Sequence, residues 1–269
     1  MKRVVAFLGT ASKKHTDYAV RRFLEGLDSL GDVESEIVVL SDFRIGTCRG
    51  CKLCFERGEE ACPLKDDRDV LIEKIHASDG VVFATPNYSF DVSGLMKIFL
   101  DRLGFVFHRP RFFGKTFTSI VSQGIYRGHK IVGYLDFVGR GLGFKTVKGT
   151  YFTAFEPMTE KEREKINGVL ERQSRRFYES LTRPSFPVPD LLMLMGFRMG
   201  RTSVRLELDE SSFDYPYYRD RGWFDSDYFY PTRLGPLKKA AGKLFESVQT
   251  IRTRRRKSSP TIPLSRRSS

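Results

Sequence analysis

Residues 79–103 read DGVVFATPNYSFDVSGLMKIFLDRL, and this stretch sets the fold. Val81, Val82, Phe83 and Ala84 form a short apolar run that stops at Pro86, the pattern of a parallel strand covered on both faces. Ser93 suits a helix N-cap, and Leu95, Ile98, Phe99 and Leu103 then recur at roughly helical spacing. Strand, loop and helix in this order are half of a βαβ unit, and ligands of such sheets sit beyond the carboxyl ends of the strands. The loop Pro86, Asn87, Tyr88 and Ser89 is therefore the first candidate for a binding site.

Toward the N-terminus the same rhythm appears. Val4 to Leu8 is a short apolar strand feeding Gly9-Thr10-Ala11-Ser12-Lys13-Lys14-His15-Thr16, and Ala19, Phe23, Leu24 and Leu27 mark the buried stripe of the helix that follows. A small, hydroxyl-rich loop at a helix N-terminus suits an anion, because free amides and the helix dipole both favour a phosphate. Thr10, Ser12 and Thr16 can add hydroxyls, and His15 a backbone or phosphate contact; an ordinary strand-to-helix turn is the alternative. The chain has neither a Walker lysine pattern nor G-x-G-x-x-G, which disfavours nucleoside triphosphates and Rossmann dinucleotides.

Toward the C-terminus, Thr116 to Val121 reads as a strand, 122–128 as a glycine-bearing loop, Lys130 to Val138 as a helix and Phe144 to Phe152 as a last strand. With Ile37 to Leu40 this makes an α/β fold: a flavodoxin-like, doubly wound, five-stranded parallel sheet of order 2-1-3-4-5. The loops 9–16, 86–89 and 122–128 then meet in one crevice.

All four cysteines lie between Cys48 and Cys62, as C-x2-C-x2-C-x7-C-P: Cys48, Cys51, Cys54 and Cys62. Two-residue gaps let a chain wrap one metal centre, and soft thiolates select zinc or iron–sulfur. Spacing alone leaves three readings: a cluster, a structural zinc knuckle, or free thiols packed around a cofactor. Asp66 and Asp67 read as caps of a helix whose Val70, Leu71 and Ile75 point inward. Lys97 and Asp101 stand at i and i+4, with Arg102 beside them near the helix end, and an ion pair or a subunit contact accounts for them.

A chain of 269 residues, 40% hydrophobic, has room for one large domain or one domain with an extension. The net charge is +13, but the last 18 residues hold seven Lys or Arg and no acid, leaving +6 elsewhere. The expected organisation is a flavodoxin-like domain over 1–155, a helical extension over 156–251, and a basic disordered tail over 252–269. Within the extension, Thr159 and Glu162 form a capping box for a helix to about Leu181. Leu191 to Met199 is too short to span a bilayer, Tyr215 to Tyr230 is aromatic, and Pro236 to Ile251 is an amphipathic helix. The basic tail could meet nucleic acid or anionic lipid, but no nucleic-acid fold is recognisable. With neither a signal peptide nor a transmembrane segment in the sequence, a cytoplasmic location is expected.

Cys48-x-Gly50-Cys51 with Cys54, Cys62 and Asp66-Asp67, then Pro86, Tyr88, Ser93, Gly94, Lys97, Phe99, Asp101 and Arg102, resemble the NADPH-dependent FMN reductases of the flavodoxin-like superfamily. Within these the chain is similar to the iron–sulfur flavoproteins. The resemblance covers about the first 150 residues. The phosphate loop departs from the usual GSPRKxGNT form, with Ala11 and Ser12 in place of proline and arginine and His15 in place of Gly-Asn.

The resemblance implies FMN, its phosphate on Thr10, Ser12 and Thr16 and its ring on Pro86 to Ser89, with Gln123 and Gly124 nearby. It implies NAD(P)H or a ferredoxin-like carrier as electron donor, a [4Fe–4S] cluster on the matching cysteines, and a homo-oligomer, dimer or tetramer. A flavin brings its own hydride and single-electron chemistry, so no catalytic side chain is expected. Two other functions are consistent with the sequence: a non-catalytic flavin and iron–sulfur electron carrier, and a zinc-stabilised interaction protein on a flavodoxin scaffold.

Overall fold

The computed structural model describes residues 1–183 and 186–258. The chain divides into two compact units, Met1–Lys52 with Cys62–Phe186, and Leu53–Ala61 with Pro187–Ser269. In chain order the strands are β1 (Lys2–Leu8), β2 (Val33–Val39), β3 (Gly80–Tyr88), β4 (Asp91–Val92), β5 (Thr116–Gln123), β6 (Lys145–Thr146) and β7 (Thr150–Thr153). The helices are α1 (His15–Asp28), α2 (Leu53–Glu56), α3 (Arg68–His76), α4 (Gly94–Arg102), α5 (Gly128–Gly141), α6 (Glu160–Thr182), α7 (Leu191–Glu207), α8 (Asp214–Asp220) and α9 (Pro236–Ser258).

The first unit is the doubly wound sheet. Its strands run β2-β1-β3-β5, and β6 and β7 both lie parallel to the far edge of β5. Taken together, β6 and β7 fill the fifth place of the order 2-1-3-4-5. The single strand expected over 144–152 is broken: Thr146 pairs with Phe117 and Thr150 with Ile120, so four steps on one strand answer three on the other. That is a bulge at 147–149. Val147 N still donates to Phe117 O at 2.8 Å, but the rest is satisfied from outside the ladder: Gly149 N donates to both oxygens of Asp136 at 3.1 and 3.2 Å and Gln173 Nε2 donates to Lys148 O at 2.9 Å. Burial pushes the Asp136 carboxyl up, against the pull of the Gly149 amide and Ser119.

Strand alternation sorts the core into two layers. Val4, Ala6 and Leu8 of β1, with Val82 and Ala84 of β3 and Ile120 of β5, pack with α1 and α6, where Phe23 meets Phe177 edge to face at 5.5 Å. The intervening Phe7, Phe83 and Phe117 form an aromatic chain with Phe99 of α4: Phe7 stacks on Phe99 at 5.1 Å, and Phe83 sits edge-on to Phe99 and Phe117. Each of these phenylalanines is fully buried, which contributes roughly 1.5–3 kcal/mol apiece.

The first unit also reaches beyond residue 155, because α6 carries the buried stripe Ile166, Leu170, Phe177 and Leu181 that covers α1 and the sheet. Thr159 caps it through a full capping box with Glu162. The expected start of the extension at 156 thus splits a helix from its own core.

The second unit is helical. The helices α7 and α9 run parallel, tied along their length by Lys238 to Pro189 O, Arg198 to Glu246, Gln249 to Ser203 and Thr253 to Glu207. Trp223 is a packing residue, edge-on to Tyr218 at 4.9 Å and Phe229 at 4.8 Å, with its Nε1 donating to Phe229 O. The segment 53–61 belongs here as well: Phe213 N donates to Glu56 O at 3.0 Å, and Gly58, at φ 90°, lies under the Phe213 ring where a side chain would collide. Nothing in the local sequence separates this piece from the first unit. The tail expected from 252 begins as helix, since α9 runs to Ser258; 259–269 lie outside the described residues.

Candidate functional site

Three loops at the carboxyl ends of β1, β3 and β5 enclose a cleft of about 240 Å³. Its lining is Thr10, Ser12, Lys14, His15 and Thr16, then Pro86, Asn87 and Tyr88, then Ser122, Gln123, Gly124 and Ala154. Of the residues expected from the sequence, only Ser89 stays off the wall. Lys14, Ser122 and Ala154 were missed. Lys14 and Ser122 lie inside loops already singled out, whereas Ala154 follows β7, just past the end of the last expected strand.

The loops are tied to one another in a triangle. Ser93 Oγ donates to Gly9 O at 2.5 Å and accepts from Met96 N, so the cap of α4 also fastens the first loop. Thr16 Oγ1 and Ser122 Oγ are 2.6 Å apart and join the first loop to the third. Asn87 Nδ2 donates to Tyr126 O at 2.5 Å and joins the second loop to the third. Gly9 is required at the crossing, because a Cβ there would lie 2.9 Å from Ser93 Oγ and 3.0 Å from Met96 Cβ.

The 86–89 loop is more ordered than expected. Pro86 to Tyr88 continue β3, and Asn87 and Tyr88 pair with Val92 and Asp91 of β4 in a hairpin. Its two turn residues, Ser89 at φ 50° and Phe90 at φ 66°, are both left-handed, the signature of a type I′ turn normally built from Asn and Gly. A bulky residue there is strained by about 1–2 kcal/mol, and it holds Tyr88 and Phe90 out in solvent beside the cleft.

Gln123 is a loop organiser. Its Nε2 donates to Thr153 Oγ1 at 3.0 Å and its Oε1 accepts from Gly128 N at 2.6 Å, which fixes both ends of 124–127.

The phosphate-loop end has the features an anion needs. Lys14 stands at the N-cap of α1 with no side-chain cap on the helix. The first-turn amides are thus left to a ligand or water. Thr10 Oγ1 accepts from Ser12 N at 3.1 Å, which curls the loop around that opening. Lys14 Nζ reaches Glu156 Oε2 at 2.5 Å, and His15 Nε2 lies 4.0 Å from Glu156 Oε1. The bond to Lys14 holds the Glu156 carboxyl below its ordinary range. At the second loop, Asn87 Oδ1 is buried and without a hydrogen-bond partner.

Of the aspartate pair expected to cap α3, only Asp66 does so. Asp67 occupies the N-cap position, but its carboxylate accepts from Arg44 N at 2.7 Å, and Asp66 is the one that accepts from Arg68 N. The expected Lys97–Asp101 ion pair is present.

Cys48 and Cys51 are exposed, Cys54 and Cys62 half-buried, and none of the four is in a disulfide. Cys62 Sγ lies 3.7 Å from Arg102 Nη2. Among the described residues no three His, Cys, Asp or Glu side chains are grouped to hold a metal ion.

The model of the NADPH-dependent FMN reductase family matches residues 2–156. An iron–sulfur flavoprotein of Archaeoglobus fulgidus is 36% identical over 125 residues, 46% of this chain and 56% of that protein. A putative NAD(P)H-dependent FMN-containing oxidoreductase of Bacillus subtilis is 32% identical over 112 residues, 42% of this chain and 57% of that protein. The aligned part spans little more than half the length of either relative. Among solved structures, RosB with bound 8-demethyl-8-formylriboflavin-5'-phosphate matches at TM-score 0.55 and 13% identity, covering 100% of this chain and 96% of its own. A flavone reductase matches at TM-score 0.54 and 16% identity, covering 69% of this chain and 66% of its own. These two show the fold alone. The family match covers more than half of the chain, and the protein belongs to the NADPH-dependent FMN reductase family.

Proposed function

We propose that the cleft binds FMN and that the protein is an NAD(P)H-dependent flavin oxidoreductase. The observation that carries this reading is the convergence of the uncapped N-terminus of α1, the hydroxyls of Thr10, Ser12 and Thr16, and the strand-end wall Pro86–Tyr88 on one opening. Bound FMN supplies the hydride and single-electron chemistry itself. The chain's part is to bind and orient. The α1 amides and the three hydroxyls hold a phosphate dianion, with Lys14 adding positive charge and His15 a ring nitrogen at its edge. Pro86 to Tyr88 offer a flat, hydrogen-bonded edge for the ring, and Asn87 Oδ1 an acceptor for a ring N–H. Gln123 keeps the 124–127 loop from folding into that space.

The cysteine spacing and the names of relatives favour a second reading for residues 48–62, a [4Fe–4S] centre on Cys48, Cys51, Cys54 and Cys62. Its ligands would be gathered by loading itself, as when metal binding and local folding are coupled. Chain pairing is a further expectation of the family resemblance.

The test is an ultraviolet–visible spectrum of protein purified without oxygen, with iron and zinc assays, FMN titration and NAD(P)H oxidation on the same sample. Flavin bands with FMN-dependent NAD(P)H oxidation support the leading function. About four irons per chain with a broad band that bleaches on reduction supports the cluster. Flavin without NAD(P)H turnover points to an electron carrier, and zinc without any flavin would overturn the oxidoreductase.

A further inference from the structure

The last helix of the second unit is built inside out. Toward the protein, α9 buries Gly242, Gln249 and Thr253 and directs Glu246 at Arg198 and Arg201. Away from it, Leu237, Leu244, Val248 and Ile251 stand in solvent, 86%, 61%, 46% and 53% exposed. They recur at intervals of seven, four and three, so they form one stripe along the outer face, about 21 Å long at 1.5 Å per residue. A surface helix ordinarily turns its apolar face to the core. Reversing it needs an apolar partner outside.

The charges say what kind. At 100° per residue, Lys243 and Arg254 border one side of the stripe and Arg252 the other, all exposed. The run continues through Arg255, Arg256 and Lys257. The single acid of α9, Glu246, is committed to the inward arginines and cannot neutralise this face. A second copy laid on the stripe would bring two basic borders together with no acid between them. A surface that is anionic at its rim and apolar just beneath answers both features.

We propose that the outer face of α9 docks on an anionic lipid bilayer surface, with Leu237, Leu244, Val248 and Ile251 in the interfacial layer and Lys243, Arg252 and Arg254 among the headgroups. Lysine and arginine stems are long enough to lie beside such a stripe while their charges stay in water. No helix among the described residues is long and apolar enough to cross a membrane, so attachment is to the surface alone. The inference does not depend on what the cleft binds.

Co-sedimentation of the full chain with vesicles tests it, using phosphatidylcholine alone and phosphatidylcholine mixed with phosphatidylserine. The expected result is partitioning at least roughly tenfold stronger to the anionic vesicles, weakened by salt. Paired Leu244→Asp and Val248→Asp should abolish it, and paired Arg252→Glu and Arg254→Glu should remove the anionic preference. These positions face solvent, so circular dichroism of all variants should match the parent. Failure to bind either vesicle, or equal binding to both, overturns the proposal. So does a light-scattering mass that falls on Leu244→Asp while vesicles go unbound, because the stripe then belongs to a second copy.

Discussion

Asp66 and Arg102, 36 residues apart in sequence, form an ion pair almost wholly removed from water, with side-chain exposures of 7% and 2%. The guanidinium also donates to Gly46 O at 3.1 Å, and Asp66 accepts from Gly46 N at 2.8 Å, so the pair closes both ends of the cysteine segment. Arg102 ends α4, whose other end is held at Ser93 to Gly9. One nine-residue helix thus braces the cleft at its start and the base of the cysteine segment at its finish.

Removing one partner of a buried pair leaves the other charged and dry. Arg102→Met is therefore expected to lower unfolding free energy by about 3–5 kcal/mol. Arg102→Met combined with Asp66→Leu should be less damaging than the single change. Urea unfolding of the single and double variants checks the order.

The same pair sets an acid limb. Burial alone would raise the Asp66 carboxyl, but Arg102 and the amides of Gly46 and Arg68 outweigh it and hold the group below its ordinary value. A carboxyl with a depressed folded value stabilises the fold above the unfolded value, near 3.9, and loses that contribution as pH falls through the folded one. Unfolding free energy of the parent should thus drop more steeply below about pH 4 than that of Asp66→Asn. A gap between the two that stays constant from neutral to acid pH would assign the acid limb to other groups.

At Gly9 the crowding is on three sides, from Ser93, Met96 and the Ala84 carbonyl. Gly9→Ala should destabilise by about 1–3 kcal/mol and weaken FMN binding, since the loop it displaces forms the cleft. Gly133, inside α5 with open space within 4 Å of where a Cβ would stand, is the control. Gly133→Ala should stabilise by about 0.5–1 kcal/mol and leave FMN affinity alone. Thermal melts and flavin-fluorescence titration distinguish them.

Gln123→Leu keeps the side-chain bulk but strands the Gly128 amide and Thr153 hydroxyl. Losing both bonds should free 124–127 and raise the FMN dissociation constant by roughly tenfold, with a stability loss of about 1–3 kcal/mol. Isothermal titration with FMN reads the first and denaturant unfolding the second.

Local sequence carried the sheet and the cleft because both are written in short runs. The apolar stretches 4–8 and 81–84 are continuous, 116–121 is β-branched and aromatic, and small or hydroxyl residues follow each, so strand ends and site loops could be read together. What escaped depended on distant partners. The pairing of Asp66 with Arg102 leaves no trace in either neighbourhood, and the local rule for an aspartate before a helix gave only its bond to the Arg68 amide. The break between β6 and β7 has only Gly149 as a hint, for its hydrogen bonds come from Asp136 and Gln173 on two other helices. The core role of α6 was hidden because its charged surface dominates the composition, while four well-spaced residues, Ile166, Leu170, Phe177 and Leu181, carry the packing.

The bulge at 147–149 has a consequence for how the molecule behaves in company. A sheet with free sides can recruit a stray strand from another chain, and a long straight border is the best template for it. Here one border is cut into runs of two and four residues. The opposite border, β2, shows Glu34 and Glu36 to solvent, held by Arg3 and Lys74. Neither side offers a flat, uncharged length on which a neighbour could zip up, so the protein should tolerate crowding without growing fibrils from its own sheet.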